Sequence, residues 1–137
     1  MITEDYVSFE IAKSLKEKDF DKDVLITDWW YDEKGDAYKH QNYSYSGSPV
    51  YYKETCCHAP TLQMAIKWLR EVHHYYIQVM LDGWALGDHL GYYVVIQKTD
   101  SDFEMMLSDA LDEVFYKTPE EASEAAIKYC LEKLVYL

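Results

Sequence analysis

Cysteine and histidine side chains cluster at two places in this sequence, and both residue types can bind metals or take part in nucleophilic catalysis. The first cluster is Cys56-Cys57-His58, and the second is the pair His73-His74. A structural zinc site needs about four N or S ligands in tetrahedral array, usually from spaced pairs such as C-x-x-C. Adjacent residues of a strand point to opposite faces, so Cys56 and Cys57 are poorly placed to share one ion. We therefore predict no metal site, and expect one buried cysteine and surface histidines.

A cysteine–histidine pair is the enzymatic alternative for the same residues. The thiolate would come from Cys56 or Cys57, and the base from one of the histidines, His58, His73 or His74. Such a pair also needs an orienting third group and an oxyanion pocket. The sequence contains no nucleophile elbow, phosphate-binding glycine loop or dinucleotide fingerprint. We therefore assign no catalytic residue, expect no cofactor, and keep a small Cys–His enzyme as the alternative function.

Acidic residues between Asp100 and Glu104 resemble the start of a calcium-binding loop. Met105 stands where that loop requires glycine, and Leu111 stands in place of its last carboxylate. A serine three residues before Glu104 has instead the form of a capping box. The sequence therefore predicts a short helix over residues 101–111 rather than a calcium site.

Three longer helices are predicted from apolar residues that recur at helical spacing. They cover residues 3–18, residues 60–72, and a last helix that begins at Thr118. In the middle helix the apolar stripe is so wide that we expect most of its circumference to be buried. The last helix has Thr118 as its cap, Pro119 in its first turn and Glu121 three residues after the cap.

Segments of strand composition lie between these helices. Three strands in a meander are predicted at residues 24–31, 37–45 and 50–55, since turn signals separate them. A hairpin is predicted from residues 75–81 and 91–98. A further short strand is predicted at residues 114–116. Helices that interrupt antiparallel strands indicate one two-layer α+β domain over residues 1–137, with three main helices and one short helix.

The two faces of the predicted hairpin differ in composition. Alternation places Ile77 and its neighbours two residues away on the core face. The opposite face carries Tyr76 and Met80 from the first strand and Tyr93 and Val95 from the second. Because tyrosine combines a large ring with a polar tip, such a mixed surface suits protein binding. These four residues are the predicted binding residues of a chain that is rich in tyrosine.

The charge balance limits the classes of partner. The chain has 13 basic and 25 acidic residues, for a net charge of −12. A field of this sign repels phosphate backbones and anionic membranes, so we expect neither nucleic acid nor membrane as a partner. No apolar run approaches the roughly 20 residues that span a bilayer, and the first residues do not have the pattern of a signal peptide. Three cysteines, two of them adjacent, form a poor disulfide framework and favour a cytoplasmic location.

Three segments carry a resemblance to a known group of proteins. They are ITEDYVSFEIA at residues 2–12, APTLQMAIKWLREVH at residues 59–73 and EEASEAAIKYCL at residues 120–131. Together they resemble short uncharacterised proteins of gut anaerobic bacteria, which are often encoded near prophages or other mobile elements. The resemblance implies a cytoplasmic, phage-linked setting and implies no activity or catalytic residue.

These observations favour a non-enzymatic protein-interaction module. Its expected partner is either a second copy, giving a homo-oligomer, or another protein, as for an accessory or inhibitory protein of a phage or mobile element. An excess of acid would steer a basic partner towards it.

Overall fold

A computed structural model describes residues 4–24, 27–39, 52–86, 89–107 and 115–136. Within these ranges the fold is α+β, with antiparallel strands, three main helices and one short helix, so the predicted class is confirmed. The chain divides into two compact units, Met1–Thr61 and Leu62–Tyr136, which are described in turn.

The first unit begins with helix α1 at Phe9–Glu17, followed by the short helix α2 at Phe20–Asp23. Helix α1 starts later than predicted, because Ser8 is its cap and accepts a hydrogen bond from the backbone N–H of Ile11 (3.3 Å). The residues before Ser8 are held extended. Tyr6 forms an antiparallel bridge with Thr61, and the next N–H donates to the carbonyl of Pro60 at 3.0 Å. These distant contacts prevent a helical start near residue 4.

Three short strands form the sheet of the first unit: β1 at Trp29–Tyr31, β2 at Ala37–Lys39 and β3 at Cys57–Ala59. The hairpin of β1 and β2 lies within the predicted strands. The third strand was predicted at residues 50–55, but the chain turns at residues 54–55 and the strand follows at β3. The predicted meander order is also wrong, because β3 pairs with β1 and makes β1 the central strand.

The second unit contains helix α3 at Leu62–His73 and helix α4 at Pro119–Tyr129, which continues into a π-helical segment at Cys130–Leu134. Only one side of α3 is buried, so the prediction that most of its circumference is buried is wrong. The sheet and α4 cover that side, whereas Met64 and Val72 on the remaining surface are 40% and 41% exposed. The buried residues of α3 are Leu62, Ala65, Trp68 and Leu69.

Helix α4 begins as predicted. Thr118 is its cap and accepts a hydrogen bond from the backbone N–H of Glu121 at 3.1 Å, and Pro119 occupies the first turn. Ala122 and Ala126 are fully buried. Their small side chains allow α4 to pack closely on the sheet of this unit, which it contacts at two strands.

That sheet consists of β4 at Tyr75–Leu86, β5 at His89–Lys98 and β6 at Glu104–Met106, in this spatial order. The predicted hairpin is confirmed, with strands that extend further into the turn. Ile77 pairs with Ile96, and the next core pair is Val79 with Val94. Ile77, Val94 and Ile96 are at most 7% exposed, as the predicted core face requires.

Strand β6 occupies residues 104–106 of the predicted short helix of residues 101–111, so the prediction is wrong for these residues. The hydroxyl of Ser101 accepts from the backbone N–H of Phe103 (3.3 Å), which closes a turn instead of capping a helix. The carbonyl of Phe103 then accepts from Lys98 N–H at 2.9 Å, so the following residues pair with β5. Residues 108–111 lie outside the described ranges. Of the predicted strand at 114–116, Tyr116 forms an antiparallel bridge with Tyr92, and residue 114 is not described.

Candidate functional site: the outer face of the second sheet

The strand register places nine described side chains, Asp82 among them, on the face of the second sheet that lies opposite the buried one. We call this surface the outer face. Direct pairs across it are Tyr76 with Gln97, Gln78 with Val95, Met80 with Tyr93, Val95 with Met106 and Gln97 with Glu104. Alternation along each strand separates these residues from the side chains that pack beneath α3 and α4. All four predicted binding residues therefore lie on one face.

Large apolar side chains of the outer face are exposed to solvent. Tyr76 is 42% exposed, Met80 is 40% exposed and Met106 is 39% exposed. Tyr93 and Val95 lie between them and are half-buried. The ring of Tyr93 also packs edge-to-face on Phe115, with ring centroids 6.1 Å apart. The patch thus spans all three strands, with Tyr93 directly opposite Met80 and Val95 directly opposite Met106.

A stripe of polar side chains crosses the same face. The Gln78 amide donates to Oε1 of Gln97, and the Gln97 amide donates to Oε2 of Glu104 at 3.2 Å. Each side chain of this stripe is held by its neighbour, so its remaining donors and acceptors have fixed directions. The outer face consequently combines apolar area with oriented hydrogen-bonding groups.

An open depression of about 490 Å³ lies at one end of the outer face. Tyr76, Gln97 and Glu104 belong to both surfaces, while Thr99 and Phe103 extend the lining beyond the strands. Phe103 is 39% exposed. Phe103 and Met106 could not be recognised as surface residues from the sequence pattern, because both fall in the predicted short helix. The signal that could have found them is the acidic turn at residues 100–102 directly after β5, which is typical of a hairpin.

The cysteine–histidine cluster lies in the first unit. Cys56 and Cys57 are 2% and 3% exposed, so the expectation of one buried cysteine is wrong. Cys56 precedes β3 in a turn, where its N–H donates to the carbonyl of Lys53 at 2.9 Å, and strand alternation does not apply to it. His58 is half-buried, with its ring stacked on Tyr52 at 4.5 Å.

Electrostatics in this cluster disfavour a thiolate. Burial raises the pKa of the Cys57 thiol to about 11, the charge of Lys16 opposes that shift, and Asp21 adds to it. The Lys16 ammonium donates to two backbone carbonyls, one of them Cys56 at 2.5 Å. A nucleophilic cysteine requires a lowered pKa. Burial likewise raises the pKa of Cys130 to about 12.

The second histidine pair terminates helix α3. The ring of His73 packs edge-to-face on Trp68 at 4.6 Å and is half-buried, unlike the surface histidine expected. His74 is exposed and adopts a left-handed backbone with φ of 65°. Its N–H donates to Arg70 and its carbonyl accepts from Thr99 at 2.7 Å. These contacts assign the pair a role at the junction of α3 and β4.

Metal-binding chemistry has no support in the part of the chain that the structure describes. There, no group of three or more His, Cys, Asp or Glu side chains lies close enough to hold an ion. Asp100 of the calcium-like motif lies 3.9 Å from the Lys98 ammonium, and Glu104 accepts from Gln97. The motif is therefore a turn and a strand end. In the same ranges, no helix has the length and apolarity required to cross a bilayer.

Comparison with known proteins gives no match, whether to a protein-family model, a curated protein or a solved structure.

Proposed function

We propose that this protein is a non-enzymatic protein-interaction module and that the outer face of the second sheet is its binding surface. The observation that carries this proposal is the exposure of Tyr76, Met80 and Met106 on one face that spans three strands. Single exposed apolar residues are ordinary on any protein, whereas a contiguous patch of them is typical of an interaction site.

The composition of the outer face supports a protein as the ligand. Tyrosine and methionine are enriched in protein–protein interfaces, and charged residues are depleted at their centres. Among the nine described side chains of this face only Asp82 and Glu104 are charged; Asp82 lies at the end of the regular pairing of β4, and Glu104 lies on the last strand. The stripe through Gln78 and Gln97 would supply hydrogen bonds that fix the orientation of a partner.

The net charge of −12 bears on the kind of partner. An acidic protein attracts basic partners through its long-range field, while contacts at the interface itself are made by uncharged groups. We therefore propose a partner with a basic surface around an apolar centre. In the setting that the sequence resemblance implies, the module would be a cytoplasmic accessory protein of a phage or mobile element.

The alternative function, a small enzyme built on Cys56, Cys57 and a histidine, has less support. Burial raises the pKa of the Cys57 thiol. The ring of His58 is stacked on Tyr52, and its Nδ1 shares a hydrogen bond with Oγ1 of Thr27 at 3.0 Å. Those contacts are expected of a packed sheet and would have to change before His58 could serve as a base.

A pair of matched variants tests the proposed surface. Tyr93→Ser with Met106→Ser removes apolar area from β5 and β6, and Met64→Ser with Val72→Ser removes similarly exposed area from α3. Tagged protein captures partners from a host lysate, and the purified partner is then titrated by calorimetry. We expect the first variant to weaken binding at least roughly tenfold, as loss of a hot spot does, and the α3 variant to bind like the original protein.

Thermal melts of both variants establish that each is folded. Equal affinity of the outer-face variant and the original protein for the captured partner would refute the proposed surface. Reaction of a substrate at Cys57, abolished by Cys57→Ala, would favour the enzyme instead.

A further inference from the structure

The free edge of β4 is a second surface that could pair with another chain, and it is distinct from the outer face. Among the described residues no strand pairs with that edge. The carbonyl of His74 accepts from Thr99 N–H, so the backbone groups of even-numbered β4 residues point towards β5. The free edge therefore presents the N–H and C=O groups of the odd-numbered residues Tyr75, Ile77, Val79 and Leu81.

This edge lacks the features that protect open strands. Residues 75–81 have the sequence YYIQVML, without a charge, a proline or a glycine. Proteins ordinarily protect a long edge with charged residues, proline or a bulge. Here the first charged residue is Asp82, and the strand becomes irregular only beyond it. Met80 is 40% exposed and Leu81 is 57% exposed, so this end of the segment is open.

We infer that this edge pairs in antiparallel fashion with the same edge of a second copy of the chain, with Gln78 at the two-fold axis. The second sheet of one copy, with strands β4, β5 and β6, then joins the same sheet of the other copy to form one sheet of six strands. In this register Ile77 lies opposite Val79 of the second copy, and both have outward backbone groups. Tyr76 lies opposite Met80 of the second copy on the outer face, and Tyr75 lies opposite Leu81 of the second copy.

The side chains select this register among those that the backbone allows. A two-fold axis at residue 77 would place Gln78 against Tyr76, and an axis at residue 79 would place it against Met80. With the axis at Gln78, the Gln78 side chain of one copy lies directly opposite the Gln78 side chain of the second copy. The Gln78 amide donates one hydrogen to Gln97, and its second hydrogen and Oε1 can bond the facing amide. The polar stripe would then run unbroken across the joined sheets.

Charge also favours a second copy at this position. Two chains of net charge −12 repel each other, so contact is least opposed where the surface is uncharged, as in residues 75–81. The same register continues to place His74 opposite Asp82 of the second copy at both ends of the ladder. A basic partner protein gains nothing from residues 75–81, which carry no acidic side chain.

Charge-swap variants at the axis test the inference. The original protein should approach twice its monomer mass in sedimentation velocity as concentration rises. Gln78→Lys and Gln78→Glu each place like charges directly opposite one another, and each should weaken the dimer roughly tenfold or more. An equimolar mixture of the two variants should recover a dimer of mixed composition, because opposite charges then face each other.

Gln63→Lys is the matched control, since it makes the same substitution at an exposed position of α3 that belongs neither to the edge of β4 nor to the outer face. We expect it to dimerise like the original protein. Hydrogen exchange of the original protein should show that the amides of Ile77 and Val79 gain protection as concentration rises.

A monomeric original protein at all concentrations would overturn the inference. An undiminished dimer of Gln78→Lys would also overturn it, as would failure of the mixed variants to associate. Either result would show that residue 78 does not lie opposite residue 78 of the second copy. This inference is independent of the proposed function. Loss of partner binding by Tyr93→Ser with Met106→Ser concerns the outer face, and loss of self-association by Gln78→Lys concerns the edge.

Discussion

Replacement of Ile77 by alanine tests whether the inner face of the second sheet is buried and contributes more to stability than the outer face. Ile77 is 7% exposed and lies opposite the fully buried Ile96. Alanine removes three carbon atoms, which at about 0.8 kcal/mol for each buried methylene amounts to roughly 2.4 kcal/mol. Incomplete collapse of the cavity adds to this, so we expect a loss of about 2–4 kcal/mol in the free energy of unfolding.

Tyr76→Ser is the comparison, because Tyr76 adjoins Ile77 on the same strand and points to the outer face. It is 42% exposed, and we expect its loss to cost about 1 kcal/mol or less. Both substitutions are made in the Gln78→Lys background, so that self-association does not contribute. Urea denaturation gives the free energies, with the slope of each transition checked for a change in the exposed surface. If Tyr76→Ser destabilises as much as Ile77→Ala, the outer face is internal and the proposed binding surface is wrong.

Three further substitutions or conditions test other parts of the structure. Thr118→Ala removes the cap of α4 and should lower the free energy of unfolding by about 1 kcal/mol in urea denaturation. Gly35 has φ of +90°, and a Cβ there would lie 2.8 Å from the Phe9 ring, so Gly35→Ala should lower the free energy of unfolding by about 1–2 kcal/mol. A Cβ at Gly83 meets nothing within 4 Å, so Gly83→Ala should be nearly neutral. Burial raises the pKa of Cys57 from 9.0 to about 11, so its contribution to stability should be complete below pH 9 and should be lost between pH 9 and 11. Denaturation of Cys57→Ala and of the original protein across that range should show their free energies of unfolding approaching each other.

Elements set by local signals could be predicted from the sequence. Helix α4 begins at Thr118 because cap, proline and acidic residue lie within one turn of each other. The hairpin of β4 and β5 followed from alternating apolar residues, and its core face followed from the same pattern. Alternation also predicts that Tyr76, Met80, Tyr93 and Val95 share the opposite face, as the strand register shows.

Elements set by distant contacts could not be predicted in this way. Helix α1 starts at Phe9 because Tyr6 and Val7 are held by residues more than fifty positions away. Strand β3 owes its place to pairing with β1, although residues 50–55 have the better strand composition. The acidic turn after β5 satisfied a capping pattern locally, and only pairing with β5 shows that the next residues form β6.

The open edge of β4 illustrates how a functional surface can depend on an element that the sequence misassigned. In an isolated hairpin the outer edges of β4 and β5 are equivalent, and either could accept another strand. Strand β6 pairs with β5, and the bridge from Tyr116 to Tyr92 occupies the same edge. Among the described strands of this sheet, the outer edges of β4 and of the short β6 remain unpaired. The edge of β4 is the long one, and it has no charge over residues 75–81. The sequence shows that this segment is uncharged, but only the position of β6 shows which edge of the hairpin stays unpaired among the described strands.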